Sequence, residues 1–508
     1  MSNTSLDDLE TQLSQLAPST SKNDSGDADR KFTELGNAQR IAAKHGHVLR
    51  YVRSWRSWLA WDGTRWKRDE LGVEVVVSKD IVRDLYADLA ELAHQSGPDA
   101  ADLAESLAKW AKQSAKRSTI ENSAALAQTE PPIAAHAGSF DADPWLLNVQ
   151  NGTVDLRTGQ LRPHAQLDLI TMLAPADYDP DAACPTWDAF VAWALPDPAT
   201  RSWVQRFCGY CLTGDVGEQV ATFLHGGGAN GKSTFLGAVK HVLGDYSWQG
   251  SPGLIMAPDH GNGEDVARRQ RAVVKGRRLV LVQEIEAGRY LNEAQLKQLT
   301  GGDVITAAKL YENECEIMPT HKIVVATNYK PVVRGADHGI WRRIRLVPFL
   351  SRIADEQKDA DLPAKLRAEA SGILAWMVRG CLAWQHEGLA ESPQMRDAAA
   401  GYRQHEDKLA EFLEDVTEPG EGVHSSRLYK RYQRWCEDRG EKTWTQRALT
   451  DALGERGYKA ERIVAEDDLG TRKRDRGIAG LRLRETRRCC TLYPRCSHAV
   501  GTQLRPDP

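Results

Sequence analysis

The chain has 508 residues, which at roughly 150 residues per domain predicts about three or four domains and excludes a single small module. Its 66 lysines and arginines stand against 70 aspartates and glutamates, a formal charge of −4, so any contact with nucleic acid has to be local. No apolar run approaches the roughly 18 residues of a membrane span, and residues 1–29 lack the apolar stretch of a secretory signal. These features exclude a membrane role and predict a cytoplasmic protein.

The N-terminal third is predicted to be mainly helical after a disordered leader at 1–30, which holds too little apolar surface to offset chain entropy. An Asp62-Gly63 turn between tryptophan-rich runs predicts a hairpin, whose tryptophans pack in the core or, as the alternative, stack on DNA bases. An Asn151-Gly152 turn predicts a second hairpin. The segments with helical spacing or an alanine- and leucine-rich composition are 32–49, 77–93, 101–127 and 185–212.

Between residues 219 and 349, short β-rich apolar runs alternate with helical segments, a pattern that predicts a parallel sheet covered by helices. The four predicted strands are 220–224, 279–282, 323–326 and 344–347. The chain is predicted to be helical again from 349 to about 402, and 423–484 is predicted to form a compact final module.

A glycine-rich loop follows the first of these strands. The run Gly226-Gly227-Gly228-Ala229-Asn230-Gly231-Lys232-Ser233-Thr234 fits G-x-x-x-x-G-K-[ST] and precedes an expected helix at 235–243. Glycines let backbone N–H groups and a helix N-terminus face phosphate, while Lys232 supplies charge to the β- and γ-phosphates and Ser233 offers a hydroxyl to Mg²⁺. All nine residues are therefore assigned to a site for ATP and Mg²⁺.

Acids and an amide follow the next two strands. Glu284 comes after the apolar run 279–282 and is the first choice for holding Mg²⁺ and activating water, with Glu286 second. Asn328 follows the run 323–326, where its amide would orient water against the γ-phosphate. An ordinary strand end or turn is the alternative for each of these residues.

Trp341-Arg342-Arg343-Ile344-Arg345 brings arginines close to the sheet without acidic neighbours in sequence. Arg342 or Arg343, donated across a subunit interface, would act as an arginine finger. The alternative, an ordinary surface arginine, is expected to hold for at least one of the three.

These motifs, in this order, resemble those of the superfamily 3 helicases of the AAA+ class. More narrowly, the chain resembles the phage and plasmid primase-helicase family related to the poxvirus primase-helicase. The segments that carry the narrower likeness are 151–159, 209–215, the phosphate loop, 296–303, 326–331 and 339–345.

The resemblance implies a homo-hexameric ring that hydrolyses ATP between subunits and translocates on single-stranded or forked DNA. It also implies a hairpin at 305–321 that enters the ring channel, with Lys309 as the expected DNA contact and Lys322 as a weaker candidate. A solvated lysine on an exposed hairpin is the alternative for Lys309. Many relatives are fused to a primase; no cluster of metal-binding acids indicates one here, so any primase is expected on a separate polypeptide.

Residues 423–488 carry an excess of positive charge, including Arg472, Lys473 and Arg474 between two expected strands. A winged-helix DNA-binding domain fits, with 443–455 as its recognition helix and 463–483 as its wing; a solvated basic face is the alternative. The nine cysteines are scattered and do not indicate a disulfide framework, and neither the Cys208–Cys211 pair nor the cysteine-containing tail is assigned a metal.

The predicted fold class is therefore α/β, with an AAA+ P-loop core. The expected segments are a leader (1–30), a mainly helical region (31–140), a helicase-associated domain (141–215), the ATPase core (216–350), a helical extension (351–420), a winged-helix-like domain (421–488) and a flexible tail (489–508). The predicted function is an ATP-dependent DNA helicase in replication of a phage, prophage or plasmid in a bacterial host cell. A P-loop switch that regulates assembly on DNA without unwinding is the main alternative, and a small-molecule kinase is a weaker one, because no lid over a substrate phosphate is evident.

Overall fold

The structure is a computed structural model that describes residues 32–484 except 96, 259–270, 272, 308–314, 334–337, 442 and 467–470. These residues form two compact units, drawn from Met1–Pro331 with Arg342–Ala398 and from Val332–Trp341 with Ala399–Pro508. The predicted leader, Lys309 and the cysteine-containing tail lie outside the described residues. Within the described part of the chain, no helix is both long and apolar enough to cross a membrane.

The first unit begins with four helices around a three-stranded antiparallel sheet. The predicted Asp62-Gly63 turn joins two of its strands, in which Trp61 pairs with Trp66. Trp58 and Trp66 are buried, which confirms a core role for these two rings. The elements are α1 (Glu34–His45), β1 (Leu49–Val52), β2 (Ser57–Trp61), β3 (Trp66–Arg68), α2 (Val73–Leu92), α3 (Pro98–Ser114) and α4 (Arg117–Ala127).

A second antiparallel sheet and two helices lead into the central sheet. The Asn151-Gly152 turn joins the first two strands of this sheet, as predicted. Pro198 begins a new helix, capped by the Asp197 carboxylate, which accepts a hydrogen bond from the Thr200 N–H at 2.8 Å. The elements are β4 (Leu146–Val149), β5 (Gly152–Asp155), β6 (Gln160–Arg162), α5 (Pro185–Ala194) and α6 (Pro198–Tyr210).

Five parallel strands form the central sheet, in the spatial order β13-β7-β12-β9-β8. All four predicted strands are present, and the fifth, β8, was missed because its sequence, Ser-Trp-Gln-Gly, contains no aliphatic run. The elements of this part are β7 (Ala221–His225), α7 (Lys232–Leu243), β8 (Ser247–Gly250), β9 (Leu279–Gln283), α8 (Glu293–Thr300), β10 (Ile305–Ala307), β11 (Cys315–Ile317), β12 (Lys322–Thr327), α9 (His338–Trp341) and β13 (Ile344–Pro348). Of these, only α9 belongs to the second unit.

The sheet packs on α5, α6 and α7 and on two later helices, α10 (Leu362–Ala368) and α11 (Ala370–Glu387). Gly209 lets α6 approach α11 closely, because a Cβ atom at this position would overlap the backbone of Cys381. Cys208 and Cys211 lie in this core, and burial raises the pKa of the Cys211 thiol to about 12, so it stays protonated.

The second unit has its own apolar core, in which the rings of Phe412 and Tyr432 meet edge to face at 5.1 Å. The predicted recognition helix and wing correspond to α15 and to the strands β16, β17 and β18. The elements that complete the chain are α12 (Pro393–Glu406), α13 (Lys408–Val416), β14 (Thr417–Pro419), β15 (Val423–His424), α14 (Ser425–Arg439), α15 (Gln446–Glu455), β16 (Ala460–Glu466), β17 (Arg472–Ile478) and β18 (Leu481–Leu483).

Candidate active site

The phosphate loop connects the carboxyl end of β7 to the first turn of α7. Gly228, Ala229 and Gly231 have positive φ angles of 96°, 49° and 86°, so the chain turns sharply before the helix. Gly226 is required by close packing, because a Cβ atom there would overlap the Asn230 amide and the Phe349 carbonyl. Gly231 offers no side chain to cap α7, so the first backbone N–H groups of this 12-residue helix remain available to an anion.

Lys232 is 6% exposed, and its amine is held by three neutral oxygen atoms. The amine donates to the Gly226 carbonyl at 2.7 Å, to Asn230 Oδ1 at 3.1 Å and to Asn328 Oδ1 at 3.0 Å. Burial lowers the pKa of Lys232, and no carboxylate among the described residues pairs with it. A buried cation at a helix N-terminus, without a counter-charge, is arranged to receive an anion.

Asn328 directly follows β12, the strand that lies between β7 and β9 in the sheet. Thr327, the residue before it, pairs with His225 of β7, and Ala326 pairs with Gln283 of β9. The phosphate loop, Asn328 and Glu284 therefore begin at neighbouring positions along one edge of the sheet. The hydrogen bond from Lys232 confirms that the structure brings Asn328 to the phosphate loop, as the sequence predicted.

Glu284 directly follows β9 and has a φ of 61°, in the left-handed region that few residues other than glycine adopt. Its side chain is exposed at the same edge of the sheet, where it can face a nucleotide held by the loop. Glu286 is also exposed, but the buried Ile285 separates it from Glu284. The backbone geometry favours Glu284 over Glu286, since strained positions of this kind cluster at functional sites.

The three arginines around β13 have different environments. Arg345 forms an ion pair with Glu391 at 3.3 Å in its own chain. Arg343 is 9% exposed, which does not fit a group that reaches into another subunit. Arg342 is exposed, and its guanidinium donates to Gln219 Oε1 at 3.2 Å. Exposure thus favours Arg342 over Arg343, the two residues between which the sequence left the choice of finger open.

A groove with a volume of about 640 Å³ starts at Ser233 and Thr234 and borders one side of α7. Pro175, Gly244 and Arg367 are among the residues that line it. The groove meets the loop only at Ser233 and Thr234, and neither Lys232 nor Glu284 nor Asn328 lines it.

Two residues that support the loop were missed by sequence reasoning. The Phe349 carbonyl accepts a hydrogen bond from Asn230 Nδ2 at 3.2 Å, and the Ile353 N–H donates to the Ala229 carbonyl at 3.0 Å. Both residues follow β13, far along the chain from the loop they hold. Because these contacts use backbone groups, any residue type could supply them and no sequence signal marks them.

The prediction of a DNA contact at Lys322 is wrong. Lys322 is 2% exposed, and its amine donates to the backbone carbonyls of Thr213, Asp215 and Thr320. The amine also lies 4.6 Å from the centre of the Tyr210 ring, and burial lowers the pKa of Lys322 to about 7. The residue joins β12 to the segment after α6 instead of facing solvent.

A Lys322→Met variant is expected to unfold more easily than the wild type, by about 2–4 kcal/mol, because the buried carbonyls lose their donor. Thermal unfolding without nucleotide measures this change as a fall in the melting temperature. A Lys79→Met variant on the exposed face of α2 serves as the control. An unchanged melting temperature combined with weaker DNA binding would contradict the structural role of Lys322.

Arg472, Lys473 and Arg474 are exposed on β17, which pairs with β16. Arg472 also pairs with Glu421 at 3.1 Å. The predicted recognition helix, α15, carries Asp451 and Glu455 and is not basic. Cations of this unit lie on β17 and on α14, which carries five lysines and arginines against two acids.

Comparison with known families gives three separate matches along the chain. A family described as "D5 N terminal like" matches residues 38–196, and one described as "Poxvirus D5 protein-like" matches residues 404–463. Between them, residues 224–343 match a family of unknown function, which covers the phosphate loop. The first and third descriptions support a likeness to a primase-helicase family related to the poxvirus D5 protein.

Proteins of large DNA viruses resemble about half of the chain. "Putative helicase L207/L206" of Acanthamoeba polyphaga mimivirus is 25% identical over 322 residues, covering 58% of this chain and 33% of the relative. "Putative helicase 022R" of Frog virus 3 is 27% identical over 269 residues, covering 49% and 27%. "Putative primase C962R" of African swine fever virus is 25% identical over 213 residues, covering 41% and 22%. The chain thus matches a third or less of the length of each of these relatives.

Among solved structures, the apo C-terminal region of NrS-1, in its A form, resembles the chain with a TM-score of 0.49 and 10% identity. That likeness covers 88% of this chain and 99% of the other.

Proposed function

We propose that the chain is an ATP-dependent DNA helicase, a DNA-stimulated ATPase that moves along single-stranded DNA during replication. The observation that carries the proposal is the buried Lys232 amine, which is held by neutral oxygens at the start of α7 and has no counter-charge. The helicase and primase names of the viral relatives support DNA as the polymer on which the energy of ATP is used.

The residues at the carboxyl edge of the sheet have different proposed roles in ATP hydrolysis. Lys232 and the first N–H groups of α7 bind the β- and γ-phosphates, and Lys232 exchanges its contacts with Asn230 and Asn328 for phosphate oxygens. Ser233 and Glu284 would hold Mg²⁺ with a hydroxyl and a carboxylate, and the ion would supply positive charge beside the phosphates. Glu284 accepts the proton of the attacking water, and Asn328 orients that water against the γ-phosphate.

Superfamily 3 AAA+ architecture and a homo-hexameric ring are part of this proposal. The order of the five strands places the phosphate loop, Asn328 and Glu284 at one edge, and Arg342 is exposed in the same unit. In a ring, this guanidinium would reach the γ-phosphate of the neighbouring subunit, as arginine fingers do. Lys309, which lies outside the described residues, stays the proposed channel contact, and a separate primase stays a proposed partner.

The C-terminal unit is proposed to act as a winged-helix-like DNA-binding module. Its exposed cations on β17, Arg472, Lys473 and Arg474, suit the phosphate backbone, because this strand belongs to an exposed hairpin. A bacterial host cell also stays a proposal, and the relatives named above, which are viral proteins, give it no support.

Displacement of a labelled strand from forked DNA tests the helicase proposal directly. We expect ATP-dependent displacement on forks with one of the two tail polarities, and none with Lys232→Ala protein. DNA-stimulated ATP turnover without displacement on either fork would favour a switch that regulates assembly on DNA.

A mixture of two inactive variants tests the action of Arg342 across the subunit interface. Lys232→Ala subunits keep their arginine, and Arg342→Ala subunits keep their phosphate loop, so mixed rings contain some interfaces with both groups intact. Random mixing at equal amounts is expected to restore up to about a quarter of wild-type ATP turnover. Lys232→Ala mixed with Glu284→Gln is the control, and it should restore nothing because both changes affect the same side of the interface. Failure of the first mixture to regain activity would contradict the assignment.

A further inference from the structure

Two cations lie close to the ring of Trp55 and two more flank it in sequence, at the turn between β1 and β2, where no part of the proposed catalytic machinery lies. The guanidinium of Arg68, at the end of β3, lies 4.9 Å from the centre of the Trp55 ring. The amine of Lys275, which precedes β9, lies 5.8 Å from the same ring. Arg53 and Arg56 flank Trp55 in sequence, and both are exposed. We call Arg53, Arg56, Arg68 and Lys275 the Trp55 patch.

The Trp55 patch has no counter-charge within the described part of the chain. Other exposed arginines of this unit do pair with acids, for example Arg157 with Asp143 at 3.1 Å. Two acids close to the patch in sequence have other partners: Asp62 accepts the Thr64 N–H at 2.8 Å, and Asp69 accepts the Gly72 and Val73 N–H groups. A third, Glu70, is exposed and forms no ion pair with the patch among the described residues. Two cations on one ring repel each other, and a bound anion would remove that repulsion.

The turn that carries the Trp55 patch is held in a fixed shape. Arg56 has a φ of 47°, and its N–H donates to the Arg53 carbonyl at 3.1 Å, which closes the turn. The ring centres of Phe140 and Trp55 lie 5.5 Å apart, so the two aromatic side chains pack against each other. A left-handed backbone at an arginine is unfavourable, and such strain is typical of positions retained for a role other than stability.

We infer that the Trp55 patch binds the phosphate backbone of single-stranded DNA, at a place separate from the ATP site. Lys275 lies in the segment that enters the amino end of β9, whereas the phosphate loop lies at the carboxyl edge of the sheet. Guanidinium groups suit phosphate because their planar donors can contact two oxygens at once, and the basic surface beside an aromatic ring is typical of single-strand binding. The chain as a whole has a net charge of −4, so this local positive surface would direct DNA to one place. This inference rests on the proposed DNA-dependent function and adds a second DNA contact to it.

Charge reversal at two positions of the Trp55 patch tests the inference on the full-length protein. Arg53→Glu/Arg56→Glu is compared with Lys79→Glu/Arg83→Glu, which makes the same charge change at exposed positions of α2. The probe is a fluorescent oligothymidine whose anisotropy is followed over a series of salt concentrations. We expect affinity to fall about tenfold near 0.15 M salt and the slope of log K against log salt to become shallower by about 1.4, with little change in the control.

ATP turnover without DNA should be the same in the wild type and in Arg53→Glu/Arg56→Glu, since the patch does not touch the phosphate loop. Arg53→Ala/Arg56→Gly is the second variant if the first does not fold, because glycine accepts the positive φ of residue 56. Wild-type affinity and salt slope in both patch variants would overturn the inference and leave the motor proposal intact. Lost DNA binding in these variants, together with wild-type turnover that ignores DNA, would support the patch and contradict the motor.

Discussion

Replacement of Lys232 by alanine is expected to abolish ATP turnover, with a loss of at least about a hundredfold. The amine donates to oxygen atoms of Gly226, Asn230 and Asn328, where the phosphates would bind. Removing it leaves the loop and helix N-terminus intact but takes away the charge that stabilises the transferring phosphoryl group. The variant should still fold, because relief from burying a cation without a counter-charge offsets part of the cost of the lost hydrogen bonds.

Steady-state ATP turnover and the melting temperature, measured on the same preparation, check this expectation. Lys79→Ala, an exposed lysine on α2, is the matched control and should retain wild-type turnover. Turnover near the wild-type level in Lys232→Ala would contradict the assignment of the phosphate site.

Glu284→Gln is expected to lower ATP turnover by about a hundredfold to a thousandfold while nucleotide still binds. The amide has nearly the same shape as the carboxylate but cannot accept the proton of the attacking water. Glu286→Gln is the matched control, since this residue is exposed two positions further along the same segment. It should change turnover by no more than a few-fold.

Glu284→Gly separates the chemistry of this residue from its backbone strain. Glycine accepts the φ of 61° without cost, so the variant should be at least as stable as the wild type and yet inactive.

Turnover that is lost in Glu286→Gln and kept in Glu284→Gln would instead assign the base to Glu286.

The sequence predicted the elements whose signals are local. The phosphate loop, the strand before it and the helix after it were predicted from a motif in which glycines, a lysine and hydroxyl groups have fixed spacing. Asp62-Gly63 and Asn151-Gly152 predicted both hairpins, because these pairs suit the backbone of tight turns. The convergence of Asn328 with Lys232 was also predictable, because the carboxyl ends of parallel strands share an edge.

Long-range features could not be predicted in this way. Lys322 stands at the border of a buried strand, and its partner carbonyls at Thr213 and Asp215 lie more than a hundred residues away. The predicted helix at 101–127 is divided because Lys116 adopts an extended backbone, with no proline or glycine to mark the break. Burial likewise separates Arg343 from Arg342, although the two are identical residues at adjacent positions.

ATP hydrolysis by the purified full-length protein, with and without single-stranded DNA, tests the central claim most directly. Lys232→Ala protein provides the blank. A DNA-dependent motor predicts turnover that rises severalfold or more with DNA and vanishes in the blank. Turnover that depends on Lys232 but is the same with and without DNA would contradict the motor and favour an ATP-dependent switch.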